Sequence, residues 1–317
     1  MQPLVSIIIP CYNHEKFIND CVESILRQNY DNIELIVSDD CSSDNSFDLF
    51  ASNRNRLEQK CVNTIIKQNE TNLGLTGNIN SMLDMVNGKY VKLIASDDIM
   101  FPNAIAEFVE YMERNPEVGV VVSNGVRILE ESSVDDIRKI EVIYTEAPRI
   151  DSNISFEMLY MGNYFFAPGA FVRADIYDKY GKYDESIAIE DWEYWLRLVS
   201  LGYNGFAYID KQLVGYRMNS ESFSAVTGKN FEQRRIRMFA AEMQIIEKYR
   251  QNAGNKLYSH KKYNRITVEM DMARQHDLKG MYKFLSDEMS DRKMFSEISL
   301  KEKLGFMRRG IWLHFNR

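Results

Sequence analysis

Tyr90-Val91-Lys92-Leu93-Ile94-Ala95-Ser96-Asp97-Asp98 is a mostly apolar run that stops on two adjacent carboxylates. Two ionised acids side by side repel each other unless a cation sits with them. The end of a strand in an open α/β sheet is also where ligands bind. A divalent metal carrying a phosphorylated ligand meets both conditions. Three other polar loops have a similar character: 10–14 with Tyr12-Asn13, 39–44 with Asp39-Asp40, and 72–80 opening on Asn72-Leu73-Gly74. Neither GxxxxGK[ST] nor GxGxxG occurs, so a glycine-rich backbone of either kind is not expected to cradle phosphate. A carboxylate-lined pocket for Mg2+ or Mn2+ and a diphosphate is the chemistry that remains.

A further group of acids opens Glu190-Asp191-Trp192-Glu193-Tyr194-Trp195. The helix dipole favours acids in a first turn, and that alone accounts for them. The functional alternative is a carboxylate at a helix start that accepts a proton from substrate. The dipole lowers its pKa, whereas desolvation beside Trp192 or Trp195 raises it. Asp44, after Ser42-Ser43, reads as a helix cap.

Strands and helices must alternate to hold these loops on one edge. Leu4–Ile9, Ile33–Val37, Val62–Ile66 and the run from Tyr90 are short β-rich segments. Between the first two, Phe17, Ile18, Cys21, Val22, Ile25 and Leu26 share a helical face. A helix of about ten residues follows Gly74, and another starts near Pro102 and runs to about Met112. The rhythm predicts an α/β protein whose mostly parallel sheet is covered by helices. It places the four loops together at the strand C-termini. Val118–Val122 and pieces around 125–130 and 140–145 read as further strands, 192–199 as a helix, and nearly everything after 228 as helix.

The 317 residues carry a formal net charge of −7, unevenly spread. Residues 1–224 hold 19 Lys+Arg against 35 Asp+Glu, a balance of −16, and residues 225–317 hold 20 against 11, a balance of +9. An acidic body and a basic tail imply different partners. The four cysteines lack CxxC or metal-ligand spacing, which predicts buried free thiols in a reducing compartment. With no signal-like N-terminus and no apolar run near the roughly 20 residues of a membrane span, the expected location is the cytoplasm.

Taken together, Val5-Ser6-Ile7-Ile8-Ile9-Pro10-Cys11-Tyr12-Asn13, Asp39-Asp40, Asn72-Leu73-Gly74, Ser96-Asp97-Asp98, Glu190-Asp191 and Gly215-Tyr216-Arg217 resemble the family 2 glycosyltransferases over about residues 3–225. The resemblance implies the GT-A fold for 1–225, with a helical C-terminal region over 226–317. It implies an inverting transfer from a nucleotide-sugar, UDP-linked first and dTDP-linked next, to a saccharide or lipid-linked saccharide, as in surface-polysaccharide assembly. By position, Pro10, Tyr12, Asn13 and Asn72 would hold the nucleotide, Asp40 the N3 hydrogen of the base, and Asp97 the ribose. Asp98 would ligate Mn2+ or Mg2+, and Asp191 would be the catalytic base. Glu190, Trp192, Arg217 and Asn219 are candidate acceptor or diphosphate contacts. Ile79 stands where many relatives have Arg, and Asn219 where they often have His, so Asp98 is expected to hold the metal with less help. A non-catalytic scaffold that keeps the fold is the competing reading; a receiver-like signalling domain would leave 150–225 without a purpose. No nucleic-acid partner is expected.

The tail places Leu300, Leu304, Met307 and Ile311 on one helical stripe, with Lys301, Lys303 and Arg308 beside it. This fits either a basic amphipathic helix at the inner face of the cell membrane or a helix packed on protein.

Overall fold

The computed structural model describes residues 2–137, 139–143, 154–218, 231–276 and 278–288. In chain order the elements are β1 (Val5–Cys11), α1 (Ile18–Leu26), β2 (Ile33–Asp39), α2 (Ser46–Ser52), α3 (Arg54–Lys60), β3 (Asn63–Gln68), α4 (Gly74–Leu83) and β4 (Tyr90–Leu93). Then come β5 (Ile99–Met100), α5 (Ala104–Arg114), β6 (Val120–Ile128), β7 (Lys139–Ile143), α6 (Phe156–Met161), β8 (Ala170–Arg173), α7 (Ala174–Tyr180), α8 (Glu190–Ser200) and β9 (Phe206–Arg217). The last three described are α9 (Phe231–Lys248), α10 (Arg250–Gln275) and α11 (Lys279–Glu288).

One sheet of nine strands runs β3-β2-β1-β4-β8-β6-β9-β5, with β7 added beside β6. The β3-β2-β1-β4 half is parallel, whereas β8 is antiparallel to both neighbours. Every residue of β1 and β2 is buried, as expected for strands covered on both faces. Pro10 sits near the C-terminal end of central β1, beside Ser38, where the ladder is about to give way to loop. On α1, Ile18, Cys21, Val22 and Ile25 turn inward, each fully buried aliphatic side chain contributing roughly 1.5–3 kcal/mol. On the same core, Phe108 of α5 stacks on Phe171 of β8 with centroids 5.0 Å apart.

The irregular middle of the chain differs from its sequence pattern. The pieces expected near 118–122 and 125–130 form one strand, β6, which pairs with a long β9 that the pattern did not suggest. Asp210, Lys211 and Gln212 interrupt β9 with exposed polar residues, and the register shifts there. Asn124 Nδ2 closes the irregularity by donating to Asp210 Oδ1 at 2.8 Å. A polar bulge inside a strand hides its period, so the 12-residue strand does not show in the sequence pattern.

The chain forms two compact units: Met1–Ile154 with Tyr164–Asn219, and Ser155–Asn163 with Ser220–Arg317. In the second, α6, α9, α10 and α11 are helical, and Phe239, Ile266, Met270, Met281 and Leu285 form a core of their own. Arg235 and Arg265 both pair with the buried Glu269, and Arg265 also with Glu242. No described helix is long and apolar enough to cross a membrane. The amphipathic stripe at 300–311, and the whole of 296–317, lie outside the described residues.

Candidate active site

Parallel pairing puts Cys11 opposite Asp39 and Asp39 opposite Gln68, so the loops after β1, β2 and β3 leave the sheet side by side. Side chains then stitch them together. Asn13, in the left-handed region at φ 54°, receives Ser43 N–H on Oδ1 at 2.8 Å and donates its own N–H to Ser42 Oγ at 2.8 Å. Asp40 Oδ1 accepts Asn69 Nδ2 at 2.9 Å and Leu73 N–H at 2.8 Å, which fastens the loop after β3 to the loop after β2. His14 Nδ1 lies 2.8 Å from Ser96 Oγ and 3.9 Å from Asp97 Oδ1, joining the first loop to the fourth.

The two acids after β4 have different surroundings. Asp98 is 1% exposed, and its Oδ1 accepts the Arg217 main-chain N–H at 2.9 Å. Its Oδ2 is buried without a partner. Burial, then the Asp97 charge, pushes the Asp98 carboxyl well above the usual carboxylate range; Arg217 and Lys92 oppose the shift. Such an oxygen is what a cation completes. Among the described residues no three His, Cys, Asp or Glu side chains are arranged to hold a metal by themselves. The donor set therefore fits a divalent ion for which Asp98 would be the one protein carboxylate.

Asp98, Glu190 and Asp191 line one pocket of about 650 Å3, part of it open to solvent. Its remaining walls are apolar and aromatic, with Pro10, Leu75, Ile79 and Leu93 prominent among them. Glu190 and Asp191 begin α8, and Glu193 of the same turn pairs with Arg197 at 3.0 Å. Burial, then the neighbouring Asp191 charge, raises the Glu190 carboxyl to about 8. At neutral pH Glu190 therefore keeps its proton.

The other sequence-derived candidates separate into surface, scaffold and pocket. Tyr12 is 48% exposed at the open edge, and Asn13 is exposed beside it. Asn72 is exposed and uses Oδ1 to accept Gly74 N–H at 2.9 Å, which starts α4. Asp39 is fully buried and bound to Ser42 and Gln68, a turn-former rather than a ligand group. Cys11, Cys21 and Cys61 are buried thiols, but Cys41 is exposed at φ 62°, because the turn after Asp40 carries its side chain outward.

Two candidate contacts need correction. Trp192 is 3% exposed and is not part of the pocket wall; Trp195, nearly one turn later on α8, is. Arg217 is 1% exposed, and its guanidinium is spent on main-chain carbonyls: Asp97 at 2.7 Å, Glu130 at 2.7 Å and Ser132 at 2.5 Å. It braces the Asp97-Asp98 turn and is not held out for a ligand. Asn219 lies outside the described residues.

Several positioning residues were missed from sequence. Asn78 of α4 donates to the Ser38 carbonyl at 2.9 Å, and Asn80 holds both main-chain groups of Tyr183, at 2.9 and 3.1 Å. Asparagine on the inner face of an otherwise apolar helix is the signal for such clamps, since a buried amide must find partners. Lys92 is fully buried and donates to the carbonyls of Pro168 and of Ala170, the latter at 3.1 Å. It points away from the pocket face of β4, on which Val91 and Leu93 lie.

With this arrangement in view, the family model described as "Glycosyl transferase family 2" matches residues 6–181. The chain belongs to this family. The match takes in the four converging loops, and Glu190-Asp191 lies beyond it. A family relative, an uncharacterized glycosyltransferase of Haemophilus influenzae, is 30% identical over 229 residues, 71% of this chain and 68% of the relative. The GT-A fold expected of a family 2 glycosyltransferase is shown by solved structures. The mannosyltransferase PcManGT from Pyrobaculum calidifontis, in complex with GDP-Man and Mn2+, superposes with a TM-score of 0.60 at 14% identity, covering 100% of this chain and 88% of its own. S. aureus TarS 1–349 in complex with UDP-GlcNAc gives 0.56 at 17%, covering 96% and 79%. The protein is thus a glycosyltransferase of family 2.

Proposed function

We propose that this glycosyltransferase moves a sugar from a UDP-sugar, with inversion, to a hydroxyl of a saccharide or lipid-linked saccharide. The observation that carries the reading is that Asp98, with an unpartnered buried oxygen, shares one pocket with Glu190 and Asp191. Pro10, Tyr12, Asn13 and Asn72 frame the nucleotide at the sheet edge, and Asp97 serves the ribose. Asp40 has Oδ1 committed to Asn69 and Leu73, which leaves Oδ2 to accept the N3 hydrogen of uracil. That N3 hydrogen is equally present in thymine, so dTDP-sugars come second. The complexes of neighbours with UDP-GlcNAc, and with GDP-Man and Mn2+, support a nucleotide-sugar donor and a divalent metal.

The acceptor oxygen attacks the anomeric carbon as the bond to the diphosphate oxygen breaks. Asp191 takes the acceptor proton, a contribution of about 10² to 10⁴ in rate. Glu190 beside it, its carboxyl raised by burial and by the Asp191 charge, is the more weakly acidic of the two. When bound, a Mn2+ or Mg2+ ion held by Asp98 supplies positive charge against the leaving diphosphate.

The test is release of UDP from UDP-sugars with Mn2+, in the unmutated protein and in Asp191→Asn. The variant is expected to bind donor nearly normally and to be almost inactive in transfer. Turnover at the unmutated rate would remove the base from Asp191, and metal-independent turnover would remove the metal from Asp98.

A further inference from the structure

Asp40 stands at the end of a chain of amides whose orientation a main-chain carbonyl dictates. The Ser38 carbonyl of β2 can only accept, so Asn78 of α4 turns its Nδ2 towards it, at 2.9 Å. The Oδ1 of this buried Asn78 then faces Asn69, which must present Nδ2 in turn, at 3.0 Å. The same Nδ2 carries a second hydrogen, and Asp40 Oδ1 accepts it at 2.9 Å. Ser38 Oγ, 3.5 Å from Asn69 Oδ1, agrees with that orientation. Flipping either amide would set oxygen against oxygen, so the order of donors and acceptors is fixed from Ser38 to Asp40.

Leu73 N–H donates to the same oxygen at 2.8 Å, so Asp40 Oδ1 is held by two donors and Oδ2 is the oxygen left for a ligand. A carboxylate oxygen accepts and does not donate. That separates two pyrimidines of one shape. Uracil carries a hydrogen on N3, whereas cytosine carries a lone pair there and would meet Oδ2 acceptor to acceptor. A freely turning carboxylate could swing away from cytosine and lose little. One pinned through Oδ1 can do so only by giving up the bonds from Asn69 and Leu73, and at 2% exposure Asp40 has little water to replace them.

We infer that Asn69 and Asn78 are positioning residues for base selection: by pinning Asp40 they make the site take a pyrimidine that donates at N3 over one that accepts there. This rests on the nucleotide site proposed above. The test is binding of UDP and of CDP to the full chain with Mn2+. Ribose and diphosphate are common to both, so the ratio of the two affinities reports the base alone. In the unmutated protein UDP is expected to bind about a hundredfold or more tighter than CDP. Asn69→Ala removes the donor from a partly buried loop residue, and the ratio is expected to fall by about tenfold while UDP still binds. Asn69→Asp keeps the size of the side chain and sets an oxygen against Asp40; it should lower the ratio as well, and it serves if the alanine variant does not fold. A general loosening of the loop would weaken UDP and CDP together and leave the ratio as it was. A ratio unchanged in either folded variant would therefore overturn the inference. Equal binding of UDP and CDP by the unmutated protein would instead remove the N3 contact from Asp40, and absence of UDP binding would overturn the nucleotide reading itself.

Discussion

Arg217 and Asp98 hold each other through main chain and side chain: the Arg217 N–H donates to Asp98 Oδ1 at 2.9 Å, and the Arg217 Nε donates to the carbonyl of neighbouring Asp97 at 2.7 Å. The last residue of β9 thus fixes the turn that ends the β4 segment, 119 residues away in sequence. One carboxylate oxygen is used for structure and the other is buried without a hydrogen-bond partner.

Asp98→Asn keeps an oxygen for the Arg217 N–H and removes only the charge. Its thermal midpoint is expected to equal or exceed that of the unmutated protein, because burial and Asp97 both oppose the charge. Transfer is expected to fall by about 10² to 10³, the usual scale for losing one focus of transition-state charge. Melting curves beside a Mn2+ titration of activity would show both.

Arg217→Lys retains a cation but loses the planar fork that reaches the carbonyls of Asp97, Glu130 and Ser132 together. Buried carbonyls without donors cost about 1–3 kcal/mol each, so a loss of roughly 2–4 kcal/mol is expected in urea unfolding. Activity should fall with it, since the Asp97-Asp98 turn loses its brace. An unchanged unfolding midpoint would show that the fork is not needed.

Glu190 makes stability depend on pH with a definite sign. Its carboxyl stands at about 8 in the folded protein against an ordinary 4.5, so between those values the folded chain keeps a proton that the unfolded chain has lost. Stability therefore falls as pH rises through this window and levels off above it. Glu190→Gln should remove that slope and be the more stable protein at pH near 8.5, by on the order of 2 kcal/mol. Unfolding both proteins at several pH values checks this.

Lys92 acts in the opposite sense. Burial lowers its ammonium from 10.5 to about 7, so between these values the unfolded chain binds the proton that the folded chain lacks. This contribution is present at high pH and is lost as pH falls through the window. Lys92→Met should flatten the dependence while loosening the Pro168 and Ala170 carbonyls that Lys92 holds. The difference in unfolding free energy between the two proteins, followed from pH 7 to 10, is expected to change by on the order of 1–3 kcal/mol.

The sequence by itself determined the half of the protein built from local signals. Short apolar strands alternating with amphipathic helices specify a parallel sheet, and a parallel sheet has one C-terminal edge. The meeting of the loops at Tyr12, Asp40, Asn72 and Asp98 follows from that alone, as the ties through Asn13, Asn69 and His14 bear out. Tertiary structure decided what each polar group in that edge is free to do. Asp39 and Asp40 are adjacent acids in one turn, yet Asp39 is consumed by Ser42 and Gln68. Arg217 looked like a ligand contact and is a buried brace, and Trp195 rather than Trp192 reaches the pocket. Those outcomes depend on which partners are already taken and how far water is excluded. Both are set by contacts between residues far apart in the chain, including a bulged β9 whose period the sequence conceals.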